Sequence, residues 1–352
     1  MKFTIAATAL LATIASASPV CLSGSSSSDS SSASSGNSTS SDSGSTSGST
    51  SGSSTGSATD ACDVGYCTQN GGTTGGAAGT TVTVTDLDSL TEYAEADEAY
   101  TIIVSGEISG SAQIRVGSDK TIYGESGSSI TGVGFYISEV SNVIMRNLKI
   151  AKVPADNGDA IGIQASTNVW VDHCDVSGDL SAGKDDYDGL VDVTHASEWV
   201  TISNTYFHDH WKASLVGHSD SNADEDTGTF HITYANNYWS NINSRCPSLR
   251  FATAHIINNY YEGILTTGIN TRMGTEVYVE SSAFADSADE AITFEDSDET
   301  GYAVVDDVDL GSSSNSAPEG TISLSDFPYD TIEPLGSDAL ASTIPTTAGQ
   351  TL

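Results

Sequence analysis

Basic residues are scarce in this 352-residue sequence, which has 11 Lys and Arg against 47 Asp and Glu and a formal net charge of −36. So negative a surface repels nucleic acids and anionic membranes, and we expect neither as a partner. Long apolar runs are also missing, because the sequence has no continuous apolar stretch of about 20 residues, the length that spans a bilayer. The sequence therefore predicts no membrane-spanning helix.

The N-terminal segment, positions 1–17, has the pattern of a secretory signal peptide. Lys2 supplies a positive charge, an apolar run extends from Phe3 to Ile14, and Ala15-Ser16-Ala17 offers the small residues of a cleavage site. This run is too short to cross a bilayer. We therefore predict a signal peptide at 1–17 and a secreted, extracellular protein.

The segment 18–59 is rich in Ser, Thr and Gly, and it contains one N-glycosylation sequon, Asn37-Ser38-Thr39. Such a segment cannot bury enough apolar surface to offset the entropy of ordering it. We predict a disordered linker in a glycoprotein, followed by one elongated, monomeric domain at 60–352.

Cysteine is infrequent and occurs at positions 21, 62, 67, 174 and 246. An odd number cannot pair fully within one molecule. Cys62 and Cys67 are close enough in sequence to close a small disulfide loop in an oxidising compartment. Cys174 lies in an apolar stretch and is expected to be buried as a small hydrophobic residue.

A repeat extends from Val143 to Phe284. Each copy has two apolar residues separated by one position, then a polar residue, usually Asn, and later a large apolar side chain. Its copies start at Val143, Val169, Val200, Ile232, Ala254 and Val277. The alternation indicates strands, and their recurrence indicates a solenoid. The repeats are poor in Leu, which argues against a leucine-rich horseshoe. The sequence predicts an all-β, right-handed parallel β-helix.

The polar position of each copy should stack along the solenoid. A buried amide there would bond its copies above and below, which resolves an otherwise costly buried polar group. The polar positions of the six copies are Asn147, His173, Asn204, Asn236, Asn258 and Ser281, and we expect the asparagines among them to form an internal ladder.

The C-terminal segment, 285–352, lacks the repeat and is acidic and rich in Gly, Ser and Pro. We expect loops packed along the solenoid. An open end of a β-helix exposes unpaired strands, so we also expect a cap there.

Most of the few bases fall in the repeat region and suggest a site for an anionic ligand: Arg146, Lys149, Lys152, Lys184, Lys212, Arg245, Arg250 and Arg272. Lys212 and Arg245 follow the starts of their copies at nearly equal distances, so they should stand almost one above the other. Neighbouring strands are about 4.8 Å apart, and two cations at that distance repel unless an anion or a function holds them. By the same alignment, Asp159, Asp188 and Asp192 should line the same face.

Several segments occur in the order and spacing seen in the pectate lyase superfamily, which also contains pectin lyases. They are Gly71–Gly76, Val169–His173, Asp188–Asp192, Val200–Asn204, His210–Lys212, Leu215–Asp220, Arg245–Arg250 and Gly268–Arg272. The chain resembles this superfamily, and the fungal-type pectate lyases in particular, over roughly 60–284.

The resemblance implies a lyase that uses calcium to cut polygalacturonate by β-elimination, giving 4,5-unsaturated oligogalacturonides in the degradation of plant cell wall pectin. Carried over by motif, the calcium ligands are Asp159, Asp188 and Asp192, the catalytic base is Arg245, and the substrate contacts are Lys212 and Arg250. One bacterial branch has Glu in place of Asp188 and a further acid in place of Asn157, so the number of calcium ions stays open.

Two further residues, Asp172 and His173, match the Trp-x-Asp-His motif of the superfamily. We expect Asp172 to hydrogen-bond backbone groups between neighbouring turns of the solenoid. The spacing of His195, His208, His210 and His218 does not place a metal-binding set on one face, so we interpret these histidines as structural or solvent-exposed.

The chemistry itself requires cations. Removing the C5 proton of a galacturonate expels the C4 oxygen, but it builds a second negative charge beside a carboxylate that only aimed cations can stabilise. Calcium is a hard ion that can share oxygen ligands between aspartates and sugar carboxylates. Arginine is normally protonated. Nearby cations would disfavour the charged form of Arg245 and make it a base at alkaline pH; otherwise Arg245 steadies the enolate while hydroxide takes the proton.

Three alternatives make different demands on the residues. A pectin lyase acts on methyl esters and should lack the aspartate cluster. A polygalacturonase needs paired carboxylates, about 6.5–9.5 Å apart if it inverts, and leaves Lys212, Arg245 and Arg250 unexplained. A non-enzymatic β-helix, such as an adhesin or a carbohydrate-binding module, predicts exposed bases without stacked geometry.

Overall fold

The computed structural model describes residues 56–352, and these wind into a parallel β-helix with ten strands along its first sheet. The predicted all-β, right-handed parallel β-helix is confirmed. The predicted signal peptide, most of the predicted linker and the Asn37 sequon lie outside the described residues. No helix in 56–352 is long and apolar enough to cross a bilayer.

Twenty-four strands and three α-helices make up the described part of the chain. The first twelve strands are β1 Thr80–Val84, β2 Tyr100–Val104, β3 Glu107–Val116, β4 Lys120–Gly124, β5 Ser129–Ser138, β6 Ser141–Arg146, β7 Lys149–Ala151, β8 Ile161–Gln164, β9 Thr167–Asp172, β10 Asp175–Ser177, β11 Val191–Thr194 and β12 Glu198–Ser203. The others are β13 Tyr206–Lys212, β14 Leu215–Val216, β15 His231–Ala235, β16 Tyr238–Ser244, β17 Ser248–Arg250, β18 Thr253–Ile257, β19 Tyr260–Glu262, β20 Thr267–Arg272, β21 Glu276–Ala285, β22 Glu290–Thr293, β23 Tyr302–Asp309 and β24 Ser314–Asn315. The helices are α1 Leu87–Glu95, α2 Ala223–Asp226 and α3 Ser337–Thr347.

The strands form three parallel sheets, and each turn of the solenoid, here called a rung, contributes to them in order. Sheet I contains β1, β2, β4, β6, β9, β12, β15, β18 and the first parts of β21 and β23. Sheet II contains the first parts of β3 and β5, then β7, β10, β13, β16, β19 and the later parts of β21 and β23. Sheet III contains the later parts of β3 and β5, then β8, β11, β14, β17, β20, β22 and β24.

The predicted repeat has the correct phase on every rung that carries it. Its starting residues pair with one another in succession from β6 to β21, from Val143 through to Val277. All of them are buried, as alternation along a strand requires when one face points into the solenoid. The intervals between copies differ, so the extra residues are accommodated between the strands.

Aromatic side chains fill the interior beneath sheet II. Phe207, Trp239, Tyr261 and Phe284, the large apolar residues of four successive copies, stack with centroid separations of 4.0, 5.8 and 4.1 Å. Each is almost completely buried. Because aromatic side chains contribute the largest apolar areas to a core, this column is a main source of stability.

The predicted internal ladder of polar residues is wrong for most of the rungs. All six positions lie at the bend between sheets I and II and have left-handed backbone, with φ between 42° and 59°. Asn is well represented in that conformation because its short side chain can bond locally. Among these six positions, one amide-to-amide bond forms, from Asn258 Nδ2 to Asn236 Oδ1 at 3.1 Å. Asn204 instead donates to Asp172 at 2.9 Å.

The disulfide prediction is confirmed, because Cys62 and Cys67 are bonded. Their loop packs on the outer face of sheet I against Ile144 and Trp170. The backbone N–H of Cys67 donates to Thr201 Oγ1 at 3.0 Å, which fixes this N-terminal segment to the solenoid. Cys174 is buried and unpaired, as predicted.

The C-terminal segment differs in part from the expectation. It begins with the further strands β22 to β24 rather than with loops. The helix α3 then lies along the side of the solenoid, where Leu340 and Ile344 pack against Tyr260 and Ala283, so it does not cap the open end. The final residues extend the same contact, since Leu352 N donates to Asn147 Oδ1 at 3.0 Å.

The aromatic column makes a stability prediction. Phe207→Ala removes a ring that lies in register between Val176 and Trp239. We expect the free energy of unfolding to fall by about 3–5 kcal/mol, the usual cost of truncating a buried aromatic residue. Urea unfolding measures it. The matched control is Phe294→Ala, whose side chain is 40% exposed and should cost no more than about 0.5 kcal/mol. Equal losses would contradict the internal stack.

Candidate active site

The candidate site lies where sheet II passes into sheet III. β13 ends at Lys212, Arg245 follows directly after β16, and Arg250 ends β17. On the preceding rungs, Asp188 comes shortly before β11 and Asp192 is its second residue. The solenoid therefore brings cationic and anionic side chains from consecutive rungs to one side of the molecule.

The two central cations are offset rather than directly stacked. Lys212 pairs in register with Ser244, so Arg245 lies one position beyond it. Arg245 also has φ of 64°, a left-handed conformation that ends the strand. The expectation that Lys212 and Arg245 stand one above the other is thus corrected by a single position. The offset separates two like charges that direct stacking would bring close together.

A glycine creates the space between two of the acids. Asp159 Oδ1 accepts a hydrogen bond from Gly189 N at 2.8 Å, and Asp192 Oδ1 accepts one from Leu215 N at 2.9 Å. A Cβ atom on Gly189 would lie 2.4 Å from Asp192 Oδ1 and 2.8 Å from Asp159 Oδ1. Both carboxylates therefore border a space that any larger residue at 189 would fill.

The negative charges of Asp159 and Asp192 are not fully compensated by the cations near them. Burial, followed by repulsion from Asp188, raises the pKa of Asp159 to about 6, against the opposing effects of Lys212 and Arg245. Burial and the neighbouring Asp159 raise the pKa of Asp192 well above its usual range. Carboxylate oxygens crowded in this way are the donor set that a hard cation such as calcium prefers.

Within residues 56–352 no three Asp, Glu, His or Cys side chains already converge as metal ligands. Asp188 is instead paired with Lys212, whose Nζ lies 3.2 Å from Asp188 Oδ1 and 3.2 Å from Asp185 Oδ1. The side chain of Asn157 also has a partner outside this group of acids, because its Nδ2 donates a hydrogen bond to Gly132 O at 2.8 Å. The donor chemistry of Asp159, Asp188 and Asp192 fits calcium, with Asp188 turned toward Lys212.

The backbone of Lys212 is fixed by a hydrogen bond to the side chain of His210. The side chain of Lys212 is largely buried, and the backbone N–H donates to His210 Nδ1 at 3.0 Å. Burial and then the Lys212 charge lower the pKa of His210 to about 4, so this histidine is neutral near pH 7 and its ring nitrogen can accept. The prediction of a structural His210 agrees with this contact.

Arg245 differs from the other arginines at the site. Its guanidinium forms no hydrogen bond or ion pair with any other residue in the described part of the chain, although it is close enough to Asp159 and Asp192 to oppose the rise in their pKa. Arg250 and Arg272, by contrast, are both paired with Asp220. The whole guanidinium of Arg245 is therefore available to a ligand, unlike those of Arg250 and Arg272.

Not every residue of the predicted basic patch lies at the site. Lys149 and Lys152 form ion pairs with Asp175 and Asp179 at 2.9 and 3.0 Å on the exposed side of sheet II. Exposed pairs of this kind contribute little. The patch thus divides, and the members that lie at the candidate site are Lys212, Arg245, Arg250 and Arg272.

Asp172 and His173 belong to a separate structural cluster at the end of β9. The buried Asp172 accepts hydrogen bonds from Ser203 Oγ at 2.7 Å and Asn204 Nδ2 at 2.9 Å, contacts His173 Nδ1 at 2.7 Å, and pairs with Arg146 Nε at 2.9 Å. Its partners are therefore side chains, whereas the sequence predicted backbone groups. Asp172 joins neighbouring rungs away from the site.

Three residues at the site received no role from the sequence. Gly189 shapes the space between the acids, and Asp220 and Arg272 form a charge network with Arg250. Each lies in a segment that carried the family resemblance. The signal was present, but a motif does not show which of its members meet in space.

The chain is similar to known proteins in both sequence and fold. A family model described as pectate lyase matches residues 46–349. Probable pectate lyase B of Aspergillus flavus is 75% identical over 293 residues, which cover 83% of this chain and 90% of that protein. Pectate lyase plyB of Emericella nidulans is 70% identical over 293 residues, with the same shares of the two chains.

Solved structures share the fold. The crystal structure of pectate lyase Bsp165PelA from Bacillus sp. N165, in complex with trigalacturonate, has a TM-score of 0.75 at 30% identity and covers 82% of this chain and 99% of that chain. Fold, site and relatives together define a parallel β-helix polysaccharide lyase. The chain belongs to the pectate lyase family, of the fungal type, and the non-enzymatic alternative is wrong.

The space beside Gly189 can be tested directly. Gly189→Ala would press a methyl group against Asp159 and Asp192, and we expect lyase activity to fall by roughly 10- to 100-fold because small misplacements of site groups have effects of that size. Gly183→Ala is the control, since the three atoms nearest to its Cβ would all belong to the exposed Asp186 side chain, the first at 3.1 Å. Full activity in Gly189→Ala would show that this space is not used.

Proposed function

We propose that the protein is a secreted enzyme that cleaves (1,4)-α-D-galacturonan, or polygalacturonate, by calcium-assisted β-elimination and so releases 4,5-unsaturated oligogalacturonides from plant cell wall pectin. The observation that carries this proposal is the combination of crowded carboxylates with an unpaired Arg245 beside them in the described part of the chain. A hydrolase would not need Arg245, and a pectin lyase would not need the carboxylates. The trigalacturonate bound to the Bacillus relative supports this class of substrate.

Asp159, Asp188 and Asp192 are the residues that would hold calcium. When bound, calcium supplies a Lewis acid that neutralises the substrate carboxylate. These acids lie on successive loops and strands whose backbone N–H groups fix Asp159 and Asp192. Asp188 is exposed enough to exchange Lys212 for another cation, because about half of its side chain faces solvent.

Lys212 and Arg250 would bind substrate carboxylates. Both are 8% exposed, so their charges are only partly hydrated and interact strongly with an anion that reaches them. Lys212 is held by Asp185 and Asp188, two acids that a substrate carboxylate could replace. The planar guanidinium of Arg250 can donate a charge-assisted hydrogen bond to a carboxylate from Nη2, the nitrogen without a partner in residues 56–352.

Arg245 would take the C5 proton. Its guanidinium has no competing partner in residues 56–352, so it can turn toward a bound sugar. The proton lost from C5 would move to a neutral Arg245, and the electron pair of the C–H bond would form the 4,5-double bond. The C4 oxygen would leave with the electron pair of the C4–O bond and take a proton from water to become a hydroxyl group. If Arg245 remains charged, it stabilises the enolate and hydroxide removes the proton.

Secretion is supported by the predicted signal peptide at 1–17 and by the Cys62–Cys67 disulfide. Disulfides form and persist mainly in oxidising compartments outside the cytosol. The bond lies in a loop that packs on sheet I, where it holds the N-terminal segment of the domain. Recovery of the protein from the medium after expression with its own N-terminus tests this part of the proposal.

The reaction makes a spectroscopic prediction. With polygalacturonate and calcium, we expect ultraviolet absorbance from the conjugated uronate product to rise, and a chelator to stop the rise until calcium is restored. Fully methyl-esterified pectin should react far more slowly, since its ester removes the anion that the cations bind. Reducing ends without absorbance would indicate hydrolysis, and equal rates on both substrates would indicate a pectin lyase.

Two variants separate calcium binding from proton transfer. Asp192→Asn keeps the shape and an acceptor for Leu215 N, so we expect calcium affinity to fall by roughly tenfold or more and added calcium to restore activity in part. Arg245→Lys keeps a charge but loses the planar fork. We expect it to lose at least about 100-fold in kcat at saturating calcium, the usual contribution of a general base.

A matched substitution is available for the second variant. Arg115→Lys changes an exposed arginine that lies over Tyr136 and should leave kcat unchanged. Rates are compared at saturating substrate and calcium, after circular dichroism shows that each variant is folded. Wild-type turnover in Arg245→Lys would mean that the position supplies only charge, and the assignment of the base would be wrong.

A further inference from the structure

Asp220 connects three segments at the edge of the site. Its Oδ1 accepts a charge-assisted hydrogen bond from Arg250 Nε and another from Arg272 Nη2 at 3.1 Å. Its Oδ2 accepts from Asp298 N at 3.1 Å. One carboxylate therefore joins the end of β17, the end of β20 and the loop that follows β22.

The contact with Arg250 fixes the orientation of its guanidinium. Nε is held by Asp220 and Nη1 donates to Gly217 O at 2.8 Å, so two of the three nitrogens are committed. Within residues 56–352, only Nη2 of this guanidinium has no hydrogen-bond partner. Because the guanidinium is planar, fixing two of its nitrogens also fixes the direction of the third. Arg250 thus presents Nη2 to a ligand in one defined orientation.

Charge neutralisation does not explain Asp220. It shares one negative charge between two guanidinium groups, so the cluster of Arg250, Arg272 and Asp220 stays net positive. Although partial burial opposes it, the hydrogen bond from Arg250 holds the pKa of Asp220 below its usual range. The carboxylate is therefore ionised whenever the enzyme is folded near neutral pH.

We propose that Asp220 is a positioning residue for substrate binding: it locks the Arg250 guanidinium in the orientation that meets a galacturonate carboxylate. It acts through Arg250 and need not touch the substrate itself. This inference rests on the proposed function of Arg250 as a substrate contact and names the residue that determines how well that contact is made.

The sign of the effect distinguishes positioning from bulk charge. Asp220→Asn makes the site more positive by one charge, so bulk electrostatics alone would strengthen the binding of a polyanion and lower KM. Positioning predicts the opposite. We expect KM for polygalacturonate to rise about tenfold, equivalent to about 1.4 kcal/mol, with kcat changed by less than about twofold because a lost binding contact alters KM alone.

The experiment measures kcat and KM for Asp220→Asn, Arg250→Gln and the double variant at saturating calcium. If Asp220 acts through Arg250, adding Asp220→Asn to Arg250→Gln should change KM little further, whereas independent sites would multiply their effects. Asp307→Asn is the matched control, because Asp307 also accepts from a backbone N–H, that of Ser337 at 2.9 Å, but lies outside the site. It should leave KM unchanged.

A second variant covers the case in which Asp220→Asn does not fold. Asp220→Glu keeps the charge but moves the carboxylate by one methylene, so KM should again rise while the net charge is constant. An unchanged or lower KM in the folded Asp220 variants, or multiplicative effects in the double variant, would overturn the proposal for Asp220. If Arg250→Gln itself leaves KM unchanged, the proposed function of Arg250 fails instead.

Discussion

The structure depends on the in-register hydrogen bonding of one rung to the next. Parallel pairing places each strand residue beside its counterpart, about 4.8 Å away. Val143, Val169 and Val200 therefore lie in one column, although a whole turn of chain separates each from the next and the turns differ in length. An insertion within a strand would break the column, but an insertion between strands leaves it intact. Variation in rung length is consequently accommodated in the loops and bends.

The proposed active site occupies the place where that variation is largest. The two longest intervals of the repeat begin at Val169 and Val200. Their additional residues supply Asp188 before β11 and Asp220 after β14. The strands on either side hold Lys212 and Arg250 at fixed heights. A rigid scaffold thus carries the charges of the proposed site, while the loops beside it adjust their surroundings.

Most of the charged side chains at the site are held by partners of opposite charge, but their charges do not cancel. A protein with a formal net charge of −36 has few cations to use. Arg250 and Arg272 share Asp220, and Lys212 is held by exposed acids, while Arg245 is left without a partner in the described part of the chain. Burial and mutual repulsion raise the pKa of Asp159 and Asp192, so a bound cation would stabilise their ionised forms. The same imbalance that is unfavourable in the free protein would favour the proposed binding of a metal and a polyanion.

The sequence alone determined the architecture, the phase of the repeat and the identity of most charged residues at the site. It could do so because side-chain alternation and rung spacing are local properties. It did not reveal the bend at Asn204, the offset of Arg245 from Lys212, or the position of α3 along the side of the solenoid. Nor did it show that Asp220 joins Arg250 to a neighbouring rung. These features depend on how each loop closes between strands that are already fixed, and that closure is decided by contacts between residues far apart in the chain.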